Sequence, residues 1–180
     1  LKEGFRVSPR IDPLDFVDNR VALGSMAKEE LQAIVLELLI ESRGPGVHRL
    51  VQIDVEGEVP SMDEQPARAQ ETLLMPFDTD LGIRAPVPTD IVTALGKLAI
   101  YKMQERSMSD ISNGQIESAV TRMKTMATRL LDLGELELAR AALLEAGRLS
   151  QTGALSAEGQ KKIRFGTRGL TIVPKEVRHD

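Results

Sequence analysis

The sequence contains no cysteine and no tryptophan, and aromatic residues make up only 3% of it, with a single tyrosine. The lack of cysteine removes disulfides, thiol nucleophiles and zinc–thiolate sites together. With so few aromatic rings, any core must be built from aliphatic side chains and the seven methionines. The same scarcity leaves little on which nucleobases could stack. A formal net charge of −4 adds to that argument, because it opposes broad contact with a phosphate backbone. Nucleic acid is therefore not an expected partner. No apolar run reaches the roughly 18 residues that a bilayer-spanning helix needs, so membrane insertion is not expected either. The N-terminus has no signal-peptide pattern, and a cytoplasmic location is expected. A Walker loop, a dinucleotide glycine pattern and a G-x-S-x-G elbow are all missing. Neither a catalytic residue nor a cofactor is expected.

What is present is enough for a folded chain. Hydrophobic residues are 42% of the 180 positions, sufficient for one domain or two small ones. Strand-like patterns fill residues 1–82 and helical ones fill 83–180. Strands followed by helices predict an α+β fold: an antiparallel, sandwich-like β-sheet region, then a bundle of three to four helices. In Val47 to Val59 the apolar residues Val47, Val51, Ile53, Val55 and Val59 alternate with His48, Gln52, Asp54, Glu56 and Glu58. This pattern predicts a strand with one buried and one wet face. The run Ala33 to Ile40 is apolar on both faces and is followed by Gly44-Pro45-Gly46. It reads as a central strand pairing in a hairpin with Val47–Val59. Asn19–Leu23 and Thr72–Phe77 are further strand candidates, and Ser61–Ala69 reads as a loop. Residues around Phe77 to Pro88 form a linker, after which Thr89 should cap a helix with the stripe Ile91, Val92, Leu95, Leu98, Ala99 and Met103.

The last third is the most regular part. Ile116, Ala119, Val120, Met123, Met126, Ala127, Leu130 and Leu133 recur at helical spacing, and Gly134 suits the left-handed position after a helix end. A second stripe, Leu136, Ala139, Leu143, Ala146 and Leu149, ends before Gly153. So short a connection makes the two helices antiparallel neighbours. Ser156 should cap a third helix, with Ile163 inward, that runs to Gly166. Leu170 to Val173 reads as a closing strand or strap.

The segments LGELELARAALLEAGRL and LSAEGQKKIRFGTRGL resemble the C-terminal region of bacterial proteins that contain a von Willebrand factor A (VWA) domain. These are the cytoplasmic type often labelled calcium-activated chloride channel homologues. RVALGSM, LQAIVLELLIE and GVHRLVQIDVE fit the β-rich segment that precedes the helices in that family, so the resemblance covers roughly Asn19 to Leu170. It implies a non-catalytic interaction or scaffolding region, lying downstream of an A domain that carries the metal-dependent site. That metal site needs a D-x-S-x-S loop, whereas Ser107-Met108-Ser109-Asp110-Ile111-Ser112 has those residue types in another order, after a helix. With Leu1 as the first residue, the chain reads as a piece cut from a longer protein. A tetratricopeptide-like helical adaptor is the alternative, although such arrays need about three repeats. An enzyme with a cleft between the halves is a third reading.

Several residue groups invite a chemical reading. Asp54, Glu56 and Glu58 could line up as a calcium-binding row, but a solvated strand face explains them better. Asp78-Thr79-Asp80-Leu81-Gly82 starts like a calcium loop and lacks the later ligands. No metal is therefore expected. His48 and His179 have no placement that suggests acid–base work. Met103, Met108, Met123 and Met126 read as core filling, with an adaptable binding groove as the alternative. Lys161, Lys162, Arg164 and Arg168 form a basic cluster that could meet an acidic or phosphorylated protein partner. The alternative is that they complement the helix C-terminus, with Arg168 reaching a carboxylate. Apolar strand surface around Ile34 to Ile40 and the strap suggests a homodimer.

Overall fold

The computed structural model describes residues 1–27, 30–59, 66–78 and 86–170. The fold is α+β: among the described residues, antiparallel strands come first and four helices follow. Strands β1 (Glu3–Ser8), β2 (Asp12–Pro13) and β3 (Ala33–Glu37) form a small sheet in the order β2-β1-β3. Strands β4 (Gly46–Gly57) and β5 (Ala67–Phe77) form a separate two-stranded hairpin. The helices are α1 (Thr89–Ser112), α2 (Ile116–Asp132), α3 (Leu136–Thr152) and α4 (Ala157–Arg168).

The chain divides into two compact units. One comprises 1–38 and 87–180, and so joins the small sheet to the helices; the other is 39–86 and holds the hairpin.

The helices follow from short, repeated turns. At the end of α2, the Gly134 N–H donates to Leu131 O and the Glu135 N–H donates to Leu130 O, with Gly134 at φ 79°. At the end of α1, the Gly114 N–H donates to Ile111 O and the Gln115 N–H donates to Asp110 O, with Gly114 at φ 73°. Both are Schellman closures, which satisfy the last helical carbonyls and need a residue without a Cβ penalty at positive φ. Each turn leads directly into the next helix, so α1, α2 and α3 stack as antiparallel neighbours.

In α2 the expected stripe is buried: Ala119, Val120, Met123, Met126, Ala127 and Leu130. Leu133 is exposed. Met123 and Met126 have no exposure at all, so these methionines fill the core and form no groove. Helix α3 differs from its expected stripe. It buries Leu138, Ala139, Ala141, Ala142, Ala146 and Leu149, while Leu136 and Leu143 are 64% and 46% exposed. The alanines let α3 lie close to both α2 and α4, with Leu138 and Leu149 inside and Leu136, Leu143 and Leu144 outside.

Helix α1 also departs from expectation. Thr89 is its first helical residue, Pro88 takes the N-cap position, and no side chain caps the end. Ile91, Val92 and Leu95 are exposed, whereas Ala94, Leu98, Ile100, Tyr101, Gln104 and Ser107 are buried. The inward stripe starts later and includes polar groups. The Thr167 hydroxyl lies 3.3 Å from Gln104 Oε1 and 3.2 Å from Arg164 O, so its one proton is shared between α1 and its own helix. Ser107 Oγ donates back to Met103 O.

The strand region holds the largest corrections. Ala33–Glu37 pairs with β1, not with Val47–Val59, and Phe5 lies opposite Val35. Its chain is half-buried to exposed, and Leu39 and Ile40 lie outside the strand and exposed. Val47–Val59 pairs with β5, which begins at Ala67 inside the expected loop. The pairing slips by one residue between Arg49 and Val51. Because side chains alternate with period two, that slip puts Val47 on the face opposite Val51, Ile53 and Val55. These three valines and one isoleucine remain half-buried or exposed. Asn19–Leu23 is no strand, and only the isolated Val17–Arg20 bridge lies there. The expected linker at 79–85, most of the loop at 60–65 and the strap beyond Leu170 lie outside the described residues.

Leu130→Ala should destabilise the helical unit by about 2–5 kcal/mol through lost burial and the cavity left behind. Leu143→Ala, on the exposed side of α3, should stay within about 0.5 kcal/mol. Urea denaturation of both variants tests the assignment, and equal shifts in midpoint would contradict it.

Candidate interaction surface

Helix α4 carries the basic residues, and its start is built with care. The Gly159 N–H donates to Ser156 Oγ at 2.9 Å, the expected N-cap. Both Ser156 N and Ser156 Oγ donate to the Glu145 carboxylate of α3, each at 2.7 Å. Gly159 sits against that carboxylate so closely that a Cβ there would meet Glu145 Cδ at 2.2 Å. Gly166 does not end the helix as expected. It lies inside α4, pressed on the Leu138 side chain, and the helix ends at Arg168 with Gly169 as its C-cap. These contacts fix α4 along α3 and set which of its faces points outward.

The four basic residues separate by role. Lys161, Lys162 and Arg164 are exposed. None of them has an ion-pair partner among the described residues. Lys161 Nζ lies 6.0 Å from the centroid of the Phe165 ring. Arg168 is half-buried, and its guanidinium lies 3.8 Å from Asp12 Oδ1. Its carbonyl accepts from the Ile11 N–H at 3.0 Å. Arg168 thus joins the end of α4 to the N-terminal strands, while the other three cations form an outward face. Burial beside α4 raises the Tyr101 hydroxyl pKa; Glu105 adds to the rise and Arg168 opposes it.

A second charged group was not read from the sequence. Lys102 of α1 pairs with Glu3 of β1 and lies 3.6 Å from Glu37 of β3, and its ammonium sits 4.7 Å over the Phe5 ring. Lys2 also pairs with Glu37. These contacts join β1, β3 and α1 around the edge-on pair Phe5 and Tyr101, whose ring centroids are 6.3 Å apart. Beside them, Phe5, Val35, Leu36, Leu95, Leu98 and Ala99 line a hollow of about 220 Å³. Glu3, Glu37 and Lys102 are separated by 34 and then 65 positions, so no local spacing could have shown the cluster.

The other candidates have ordinary structural partners. Asp54 accepts hydrogen bonds from Gln70 and Gln52, which lower its pKa, and Glu56 pairs with Arg68 at 3.3 Å. His48 Nε2 is 2.9 Å from Gly44 O, and its ring meets Phe77 edge-on. No group of three or more His, Asp or Glu residues that could hold a metal occurs among the described residues. His179 and most of the Asp78–Gly82 stretch lie outside them. No described helix is long and apolar enough to cross a membrane.

Glu37 offers a direct check on the charged cluster. The hydrogen bond from Lys2 is the largest influence on it, Glu3 and Lys102 add to this, and together they lower its pKa from 4.5 to about 2. A depressed carboxylate stabilises the fold fully above its ordinary pKa, and that contribution fades as pH falls from about 4.5 toward 2. Carboxyl-carbon NMR titration should therefore find Glu37 still ionised at pH 3, at low salt. A midpoint near 4.5 would show that the Lys2 and Lys102 contacts do not persist in solution.

Residues 89–172 match the family model described as the Sll0103-like, C-terminal alpha-helical domain. Comparison with curated proteins and with solved structures finds no match. Over the matched stretch, from the start of α1 to just beyond α4, the chain is similar to a C-terminal helical domain.

Proposed function

We propose that this chain is a non-catalytic protein-interaction and scaffolding region of a cytoplasmic VWA-domain protein, downstream of the A domain. The observation that carries the reading is the outer surface of α2 and α3. Leu131 and Leu133 at the end of α2 and Leu136, Leu143 and Leu144 of α3 are all exposed, and Leu144 reaches 65%. Several exposed leucines on one helix pair favour a protein partner. The similarity to a C-terminal helical domain and the resemblance of LGELELARAALLEAGRL to A-domain proteins supply the context. In this reading the helices present the surface, and the A domain elsewhere in the protein carries metal-dependent binding.

A tetratricopeptide-like adaptor is the second reading, and the repeated turn favours it. The hydrogen bonds that close α1 onto α2 recur between α2 and α3 with the same pattern. Both α2 and α3 are 17 residues long, so one turn–helix unit is used twice.

Photo-crosslinking separates the readings from an inert surface. With a benzophenone amino acid at Leu144, a discrete crosslinked protein band should form in cells, whether with a second copy of the chain or with another protein. The same probe at Lys124, on the exposed side of α2, should give none. No band from position 144, or equal bands from both positions, would overturn the proposal. A crosslinked partner or a parent chain carrying a D-x-S-x-S loop would favour the A-domain reading over the adaptor.

A further inference from the structure

Aromatic side chains are rare here, four Phe and one Tyr, so the placement of each is informative. Phe5 and Tyr101 are buried, and Phe16 and Phe77 are half-buried. Phe165 alone is exposed, at 63%, on the outer face of α4. Lys161 lies one turn before it on the same helix, with Lys162 and Arg164 beside it. These three cations lack carboxylate partners among the described residues, as do Lys124 and Arg129 of α2, but only the α4 cations flank an exposed aromatic ring. Glu158 is the only acid within α4. An exposed ring next to unpaired cations, on a chain of net charge −4, is a local departure from the composition of the whole.

We propose that the Lys161, Lys162, Arg164 and Phe165 face of α4 is a docking site for an acidic peptide segment of a partner protein, with an apolar side chain of that segment packing on the Phe165 ring. Charge complementarity sets the sign of the partner. Aromatic rings and Arg dominate the energetics of protein interfaces, and a guanidinium holds carboxylates in two-pronged geometry. Anionic membrane is a poorer fit, because stable anchoring needs more apolar area than one ring beside a polybasic patch. Single-stranded nucleic acid is poorer still, since successive bases need more than one stacking platform. The inference deepens the proposed interaction role but concerns a different helix from the leucine surface of α2 and α3.

A fluorescently labelled synthetic peptide of alternating Glu and Leu serves as the probe, with anisotropy as the readout on the whole chain. Binding is expected with a Kd on the order of 10–500 µM at low salt. Lys161→Glu with Arg164→Glu should weaken it by about tenfold or more, a difference of about 1.4 kcal/mol. Phe165→Ala should weaken it about threefold or more, and Lys161→Gln with Arg164→Gln should fall between wild type and the charge reversal. Lys124→Glu with Arg129→Glu, an equal charge change on exposed residues of α2, should leave binding intact. Circular dichroism of every variant checks that the helices persist. Absence of peptide binding, an equal loss in the α2 control, or α4-dependent binding of phosphatidylserine vesicles instead of the peptide would overturn the proposal. Because crosslinking at Leu144 reports on α3, failure of this site and failure of the broader interaction reading can be told apart.

Discussion

The burial of one face of α2 is the constraint on which the rest of the helical unit depends. Ala119, Met123, Met126, Ala127 and Leu130 are all completely buried, and α2 has neighbours on both sides in α1 and α3. With almost no aromatic rings available, the interior is filled by flexible methionine and compact alanine. Met adapts to irregular gaps, and Ala allows close helix approach at little cost in side-chain entropy. The two Schellman turns hold this arrangement by leaving no slack between helices. Each closes a helix end and starts the next within a few residues, so the faces that meet are set by the turns as well as by hydrophobic periodicity.

The N-terminal strands belong to this same body. The Ile11 N–H caps the Arg168 carbonyl at the end of α4, where a helix has no partner of its own for that group. Ile11 is itself fully buried, and Lys102 joins β1 to α1 on another side. The beginning and the end of the described chain are therefore held together by a backbone hydrogen bond, an apolar contact and charged pairs. The polar pair Gln104 and Thr167 adds direction to an otherwise oily seam, since a buried hydroxyl must find an acceptor in one particular place.

Much of the fold was legible because helices announce themselves locally. The stripe of α2, the role of Gly134 and the Ser156 cap depend on residues within a few positions of one another, so spacing alone suffices. The strands were harder for a physical reason. Which strand pairs with which depends on residues far apart, and the slip between Arg49 and Val51 reverses the facing of Val47 without leaving a mark in the alternation. β1 was missed because Phe5 and Val7 make too short an alternation to stand out. In α3, Leu143 has the right spacing for the core, but the alanines win the close contact and the leucine faces outward. The basic cluster was visible as composition; its division into Arg168, tied to Asp12, and an outward trio required the packing of α4.

Strands β1, β2 and β3 and the four helices belong to one unit, clasped where the Ile11 N–H meets the Arg168 carbonyl, and that unit should open as one cooperative body. Native-state hydrogen exchange tests this most directly, because amides that open together exchange with the same free energy. The Ile11 amide and the core amides of α2 around Leu130 should show the same opening free energy and the same response to denaturant. Exchange of Ile11 through a local, denaturant-independent opening, while α2 stays protected, would show that the strands only rest on the helices and that the clasp is not part of the unit.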